Sequence, residues 1–411
     1  MYGLLLKILF TVIALAPLST CGGYDPALDD EEDPISGEGS SKPDEPTGPP
    51  VHRTVLVYMV ADNTLGTSYG SDQDDLNEMI KGAKAGSLNG GRLLVYHNRP
   101  KTSSGNPPQM LEITKDGLKV IKTYPDDTSV YSVDPERIRE VMSDMKALAP
   151  AEDYGLVLWS HANGWLGGTD ENDSRYRAFG DDRGYHITVQ TLAKTLADEH
   201  FSFVYFDCCL MGCIEVIYEM RDVAPIMVAC PTELSIDGMP YDRNLPHMFS
   251  LDTDMEDAMV KAAENTYKYY EADENGYDDG CQIAVYDTRN LGELADASRD
   301  IFRTVTVIDP KASLIQSYNT SYSTKYIYDM DNLMEFFVRT SHPELLDAWR
   351  EAWRKVVVYG HATRNGIGNL YIDRFCGLGT LAIDQKSDIT WRGYNTLQWW
   401  KDVVSYAPAY N

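Results

Sequence analysis

Basic residues are scarce in this chain: 36 Lys and Arg stand against 63 Asp and Glu, a formal net charge of −27. That balance argues against nucleic acid or an anionic membrane surface as a partner, and it permits cationic substrates. Most of the charge is what a solvated acidic surface carries. Cysteine is also sparse, with seven residues, and no C-x-x-C pair followed by a histidine pair occurs, so the spacing of a structural zinc site is missing. Cys208 and Cys209 are adjacent and poor partners for each other, and the default for Cys213, Cys230, Cys281 and Cys376 is a buried thiol. There is no internal repeat and no EF-hand pattern, although the acidic loops could hold a structural Ca²⁺.

What is present suffices for a large core: 411 residues, 43% of them hydrophobic and 24% charged, predict one large or two ordinary domains. Residues 1–20 place Lys7 before the apolar run Ile8 to Ala16, a secretory signal too short for a spanning helix. The following Leu18-Ser19-Thr20-Cys21 resembles a bacterial lipobox, with Thr20 where Gly or Ala is usual. The resemblance implies an exported protein lipidated at Cys21 and anchored to the outer membrane or cell surface. Between residues 24 and 52 nine acidic residues accompany Lys42 and repeated Pro, Gly and Ser. Such a segment buries too little surface to offset its ordering entropy, so residues 21–52 are expected to be a flexible tether.

From Arg53 onward, strand and helix patterns alternate. Thr54 to Val60, Arg92 to His97, Gly155 to Ser160, Phe203 to Phe206, Ile226 to Cys230 and Cys281 to Tyr286 read as strands; Asp116-Gly117 marks a hairpin. This order predicts an α/β fold over 53–290, a mainly parallel sheet with helices on both faces. The strand Cys281 to Tyr286 is expected to complete that sheet, and residues 291–411 read as a C-terminal subdomain packed on it, helical at first and turning to strand at Gly366 to Ile372 and Gly379 to Ile383.

Two strand ends carry chemistry. Phe203 to Phe206 runs into Asp207-Cys208-Cys209, and the residues from Leu210 to Val216 read as a helix, whose N-terminus would favour a thiolate at Cys209. Gly155 to Ser160 runs into His161-Ala162-Asn163-Gly164-Trp165. Were these strands neighbours, thiol and base would open on one crevice in an arrangement suited to acyl transfer. Taken singly, the cysteine reads as packing and the histidine as satisfied locally; together they form a dyad. Asp207 reads either as a cap for the following helix or as part of a pocket. The segment Asp170 to Tyr185, between the two strands, is an exposed loop in which Arg175 and Arg177 stand among acids.

Three stretches, Tyr58 to Asn63, Ser160 to Trp165, and Asp207 to Met211 with Glu215, together resemble the clostripain family of cysteine peptidases, which has a caspase-like fold. The resemblance implies a dyad of His161 and Cys209, with Cys208 standing where the family has a small residue. It also implies an oxyanion hole from the N–H groups of Ala162 and Cys209, with Ala162 where glycine is frequent. Further implications are an S1 pocket in which Asp207 meets Arg or Lys, with Glu233 and Asp237 as additional candidates, and self-processing after Arg175 or Arg177. No cofactor is expected to take part in the chemistry. The rival reading is a catalytically silent surface lipoprotein that keeps the fold and binds peptide or glycan.

Overall fold

Strand β1 (Val51–Val60) turns Val55, Val57 and Met59 to one face and Leu56, Tyr58 and Val60 to the other. Both sets are buried, as a strand covered by helices on two sides requires. The protein is described by a computed structural model covering residues 49–101, 105–166, 178–308, 312–319 and 325–410. The expected signal segment, Cys21, most of the tether, Arg175 and Arg177 lie outside those residues.

Helix α1 (Ser71–Lys84) connects β1 to the parallel strand β2 (Arg92–Asn98), and a hairpin of β3 (Gln109–Thr114) and β4 (Gly117–Thr123) continues antiparallel. After α2 (Pro135–Leu148), β5 (Ala151–Trp159) pairs with the other edge of β1. A small hairpin, β6 (Phe179–Asp182) and β7 (Tyr185–Ile187), and α3 (Val189–Leu196) lead to β8 (Phe203–Asp207). Strand β8 lies parallel to β5 with Trp159 opposite Asp207. Next come α4 (Ile214–Glu219) and β9 (Ile226–Ala229), parallel to β8. Helices α5 (Tyr241–Met248) and α6 (Met255–Glu271) precede β10 (Gln282–Asp287), which runs antiparallel to β9. The chain continues through α7 (Leu291–Phe302), β11 (Tyr328–Asp329), α8 (Met330–Val338) and α9 (Pro343–Val356) into β12 (Val357–Ala362).

The nine-stranded sheet has the order β12-β10-β9-β8-β5-β1-β2-β3-β4. Its five central strands are parallel, each edge being antiparallel. On one face pack Ile138 and Met142 of α2, Leu192 of α3 and Ile217 of α4, with Leu294 and Trp349 from the C-terminal helices. The other face receives Leu76 and Met79 of α1, Leu245 of α5 and Met259 of α6. Each such buried side chain contributes about 2 kcal/mol to holding its helix on the sheet. This is the expected caspase-like, mainly parallel α/β architecture.

The structure departs from the sequence reading in three places. Strand β10 does not end the sheet, because β12 from the C-terminal part adds a ninth strand beyond it. The strands expected over 366–372 and 379–383 shrink to two-residue pairings. The helix expected from Leu210 begins only at Ile214. The cause is lateral hydrogen bonding: Leu210 N–H donates to Thr232 O at 2.8 Å and Gly212 N–H to Cys230 O at 2.9 Å, while Leu210 sits at φ +66°. A backbone tied sideways to the segment after β9 cannot also start a helix.

Candidate active site

Strands β5 and β8 are neighbours, and two residues past the Trp159–Asp207 register pair stand His161 and Cys209. Both therefore emerge at the carboxyl edge of a parallel sheet. They line one cavity of about 820 Å³, with a smaller recess of about 80 Å³ beneath it that both also border.

Three loops are clamped together around the histidine. Asn63 Nδ2 donates to Val60 O and to Asp181 O, each at 2.8 Å, and Ser160 Oγ donates to Val60 O at 2.9 Å. Asp181 N–H donates to Ser160 Oγ at 3.1 Å, and Gly180 N–H to His161 O at 3.0 Å. The imidazole Nε2 is hydrogen-bonded to Thr64 Oγ1 at 2.8 Å. Burial holds the His161 pKa below its usual value, Asp181 opposing. Gly164 lets this loop meet the cysteine loop: at φ +66°, a Cβ there would lie 2.9 Å from Leu210 O.

Cys209 faces the segment after β9, where Leu234 N–H points to its Sγ at 3.4 Å and the thiol points to Leu234 O at 3.6 Å. Burial pushes the thiol up to about 12, with the nearby Glu233 and Asp207 adding to the rise. The helix-terminus effect expected from sequence does not operate, since α4 starts too late. No hydrogen bond joins Cys209 to His161; each is held by a different neighbour. Among the described residues neither Ala162 N–H nor Cys209 N–H donates to a protein acceptor, which suits both to a ligand oxygen. Cys208 is buried in the core on the α2–α4 side.

The carboxylates divide by position. Asp207 is not the cap of the following helix: it borders the small recess, with Oδ1 accepting from Met239 N–H at 3.0 Å and Oδ2 from the Tyr241 hydroxyl at 2.9 Å. Its pKa is raised to about 7, chiefly by burial. Gly238 makes this fit possible, because its Cβ would stand 2.8 Å from Asp207 Oδ1. Glu233 lines the larger cavity. Asp237 borders neither cavity and accepts from Asn275 Nδ2 at 2.9 Å.

Sequence reasoning missed Thr64, Asp181 and Asp279 as neighbours of the site. Asp181 and Asp279 line the larger cavity, the latter accepting from Ser235 Oγ at 2.6 Å. Thr64 follows the Tyr58 to Asn63 motif directly, which is the one signal that could have marked it; Asp279 has none. Among the described residues no Lys or Arg lines either cavity, and no group of three or more His, Cys, Asp or Glu is placed to hold a metal ion.

Comparison with known proteins bears on this geometry. No curated protein matches the chain. Among solved structures, an inactive zymogen C11 protease from Parabacteroides distasonis is 27% identical, with a TM-score of 0.74 over 87% of this chain and 99% of its own. A secreted C11 cysteine protease from Bacteroides thetaiotaomicron, solved with an irreversible peptide inhibitor, is 27% identical, with a TM-score of 0.72 over 86% and 99%. The sequence model of the clostripain family matches residues 57–401, so this chain belongs to the clostripain family and is a cysteine-type peptidase.

Proposed function

We propose that the chain is an endopeptidase that cleaves after Arg or Lys, using Cys209 as nucleophile and His161 as its base. The observation that carries this reading is the shared cavity at two adjacent parallel strand ends. It holds one thiol, the imidazoles of His161 and His186 and the carboxylates Asp181, Glu233 and Asp279, with Asp207 in the adjoining recess. An acidic cavity that no Lys or Arg among the described residues lines favours a cationic side chain.

In the proposed reaction His161 takes the Cys209 proton, and Sγ attacks the scissile carbonyl carbon. The oxyanion accepts from the N–H groups of Ala162 and Cys209, the open donors of the two loops. His161 then gives its proton to the leaving amine, and water resolves the acyl-enzyme, so no cofactor is needed in the chemistry. The described arrangement is a resting one, with a protonated thiol turned to Leu234 and not bonded to the imidazole. Processing after Arg175 or Arg177, in the segment between the two catalytic strands, is the proposed route out of that state. The inactive zymogen among the similar structures supports it by analogy. Export with a lipid anchor at Cys21 completes the proposal, rested on the sequence of the first 21 residues.

The test is a peptide panel varied at P1, assayed under reducing conditions with wild type, Cys209→Ala, His161→Ala and Cys208→Ala. Hydrolysis after Arg and Lys by wild type and Cys208→Ala alone is the expected result. Preference for Asp or neutral P1, or an active Cys209→Ala, overturns the reading. Intact-mass analysis should show new termini after Arg175 or Arg177 in wild type and none in Cys209→Ala. A fully active single chain would remove the processing step.

A further inference from the structure

Beneath the small recess lies a second buried carboxylate that the mechanism above does not use. Trp159 and Asp207 are register partners on β5 and β8, so their side chains leave the sheet on the same face. Helix α1 covers that face, and the Trp159 indole N–H donates to Asp75 Oδ2 at 2.6 Å. Asp75 is 2% exposed and Asp207 4%, and neither forms an ion pair among the described residues. Two carboxylates are thus buried side by side around one indole, with no cation between them.

The groups facing the pair are acidic or neutral apart from His161, which borders the same recess as Asp207 and whose pKa burial holds below its usual value. From α1 come Asp74 and Glu78, the latter accepting from Tyr241 N–H at 2.8 Å; from β8 comes Tyr205, and after it Cys208 and Cys209. The Tyr241 hydroxyl bonds Asp207, Tyr270 of α6 bonds Gly238 O beside it, and Cys230 lies after β9. Lys81 and Arg243, the cations that bear on Glu78, are engaged with Asp242 and Glu274. Burying two like charges without a counter-ion is costly, so an empty pair retains a proton.

We propose that Asp75 is the second carboxylate of the P1-charge site, forming with Asp207 a buried pair whose missing counter-ion is the cationic side chain of the substrate. This rests on the reading that Asp207 receives P1. Asp75 does not touch substrate; it acts through Asp207 as a specificity-determining residue. Entry of the guanidinium or ammonium group supplies the positive charge and releases the shared proton to solvent. Affinity for basic P1 therefore rises with pH until the pair is ionised.

Peptides with Arg or norleucine at P1 test this, with kcat/KM measured from pH 5 to 9 for wild type and Asp75→Asn, whose amide oxygen still accepts from Trp159. The variant should lose roughly tenfold of the Arg-to-norleucine ratio, the scale of one screened charge on a neighbouring site. The midpoint of its Arg pH profile should move to lower pH, because Asp207 no longer faces a like charge, while norleucine hydrolysis stays within about twofold. If wild type prefers Arg and Asp75→Asn keeps both ratio and midpoint, or loses Arg and norleucine hydrolysis equally, the inference falls and the proposed function stands. A wild type with no basic preference overturns the proposed function, and the inference with it. Should Asp75→Asn fail to fold, the same ratio is read in Asp75→Leu/Trp159→Phe against Trp159→Phe alone, where donor and acceptor leave together.

Discussion

Glu215 couples the cysteine loop to the C-terminal part of the chain, and its substitution makes a measurable demand on the structure. The side chain is 0% exposed on α4, with Oε1 accepting from Thr380 Oγ1 and Leu381 N–H, each at 2.9 Å, and from the Tyr394 hydroxyl at 3.2 Å. Oε2 has no hydrogen-bond partner among the described residues. Burial outweighs the three bonds and lifts the carboxyl from the ordinary 4.5 to about 7. The folded protein then holds a proton that the unfolded chain has released. Stability from this group is complete below about pH 4.5, declines as pH rises toward 7, and is flat above. A rise of that size corresponds to about 3 kcal/mol. Glu215→Gln keeps the shape and the Oε1 bonds but has no proton to lose. In a Cys209→Ala background, which removes the proposed nucleophile, paired urea melts should give equal stability at pH 4 and a Gln variant about 3 kcal/mol more stable at pH 8. A gap that is independent of pH, or a wild type that is the more stable at pH 8, would refute the assignment of a buried, uncompensated carboxyl.

Three other perturbations probe the site. Thr64→Val removes the partner of His161 Nε2 and should lower kcat roughly tenfold with little change in KM; an unchanged kcat in single-turnover assays denies Thr64 any orienting role. Alkylation of Cys209 by iodoacetamide in the resting protein should be slow at pH 7 and climb roughly tenfold per pH unit beyond pH 9, since burial pushes the thiol up to about 12. A rate that levels off below pH 8 means that the thiolate is already stabilised. Gly164→Ala meets both a φ of +66° and a carbonyl 2.9 Å from its new Cβ. It should cost about 2 kcal/mol in thermal or chemical melts and most of the activity, and full retention of both shows that the two loops do not need their close approach.

Patterns local to the chain determined the architecture and the pairing of the principal groups. Buried-strand runs separated by helical stretches specify a parallel α/β sheet, and successive parallel strands tend to be neighbours, so the residues after Trp159 and Asp207 had to share an edge. That Cys209, Leu210 and Met211 follow a strand was equally visible; that the next residues do not coil into a helix was not, because Thr232 and Cys230 claim their N–H groups from another part of the fold. The same holds for the thiol, whose burial against Leu234 reverses the sign of the shift that a helix terminus would produce. Asp207 was named from its motif, whereas its partners Met239 and Tyr241, the exclusion of Asp237 from both cavities, and the arrival of Asp279 were decided by loops that come together only in the folded chain. Asp75 reads in the sequence as one more acid on an amphipathic helix, and only the packing of α1 over Trp159 sets it beneath the recess. Periodicity follows from backbone geometry and needs only near neighbours in sequence; the charge state and partners of a buried side chain depend on what the whole fold brings within a few ångströms of it.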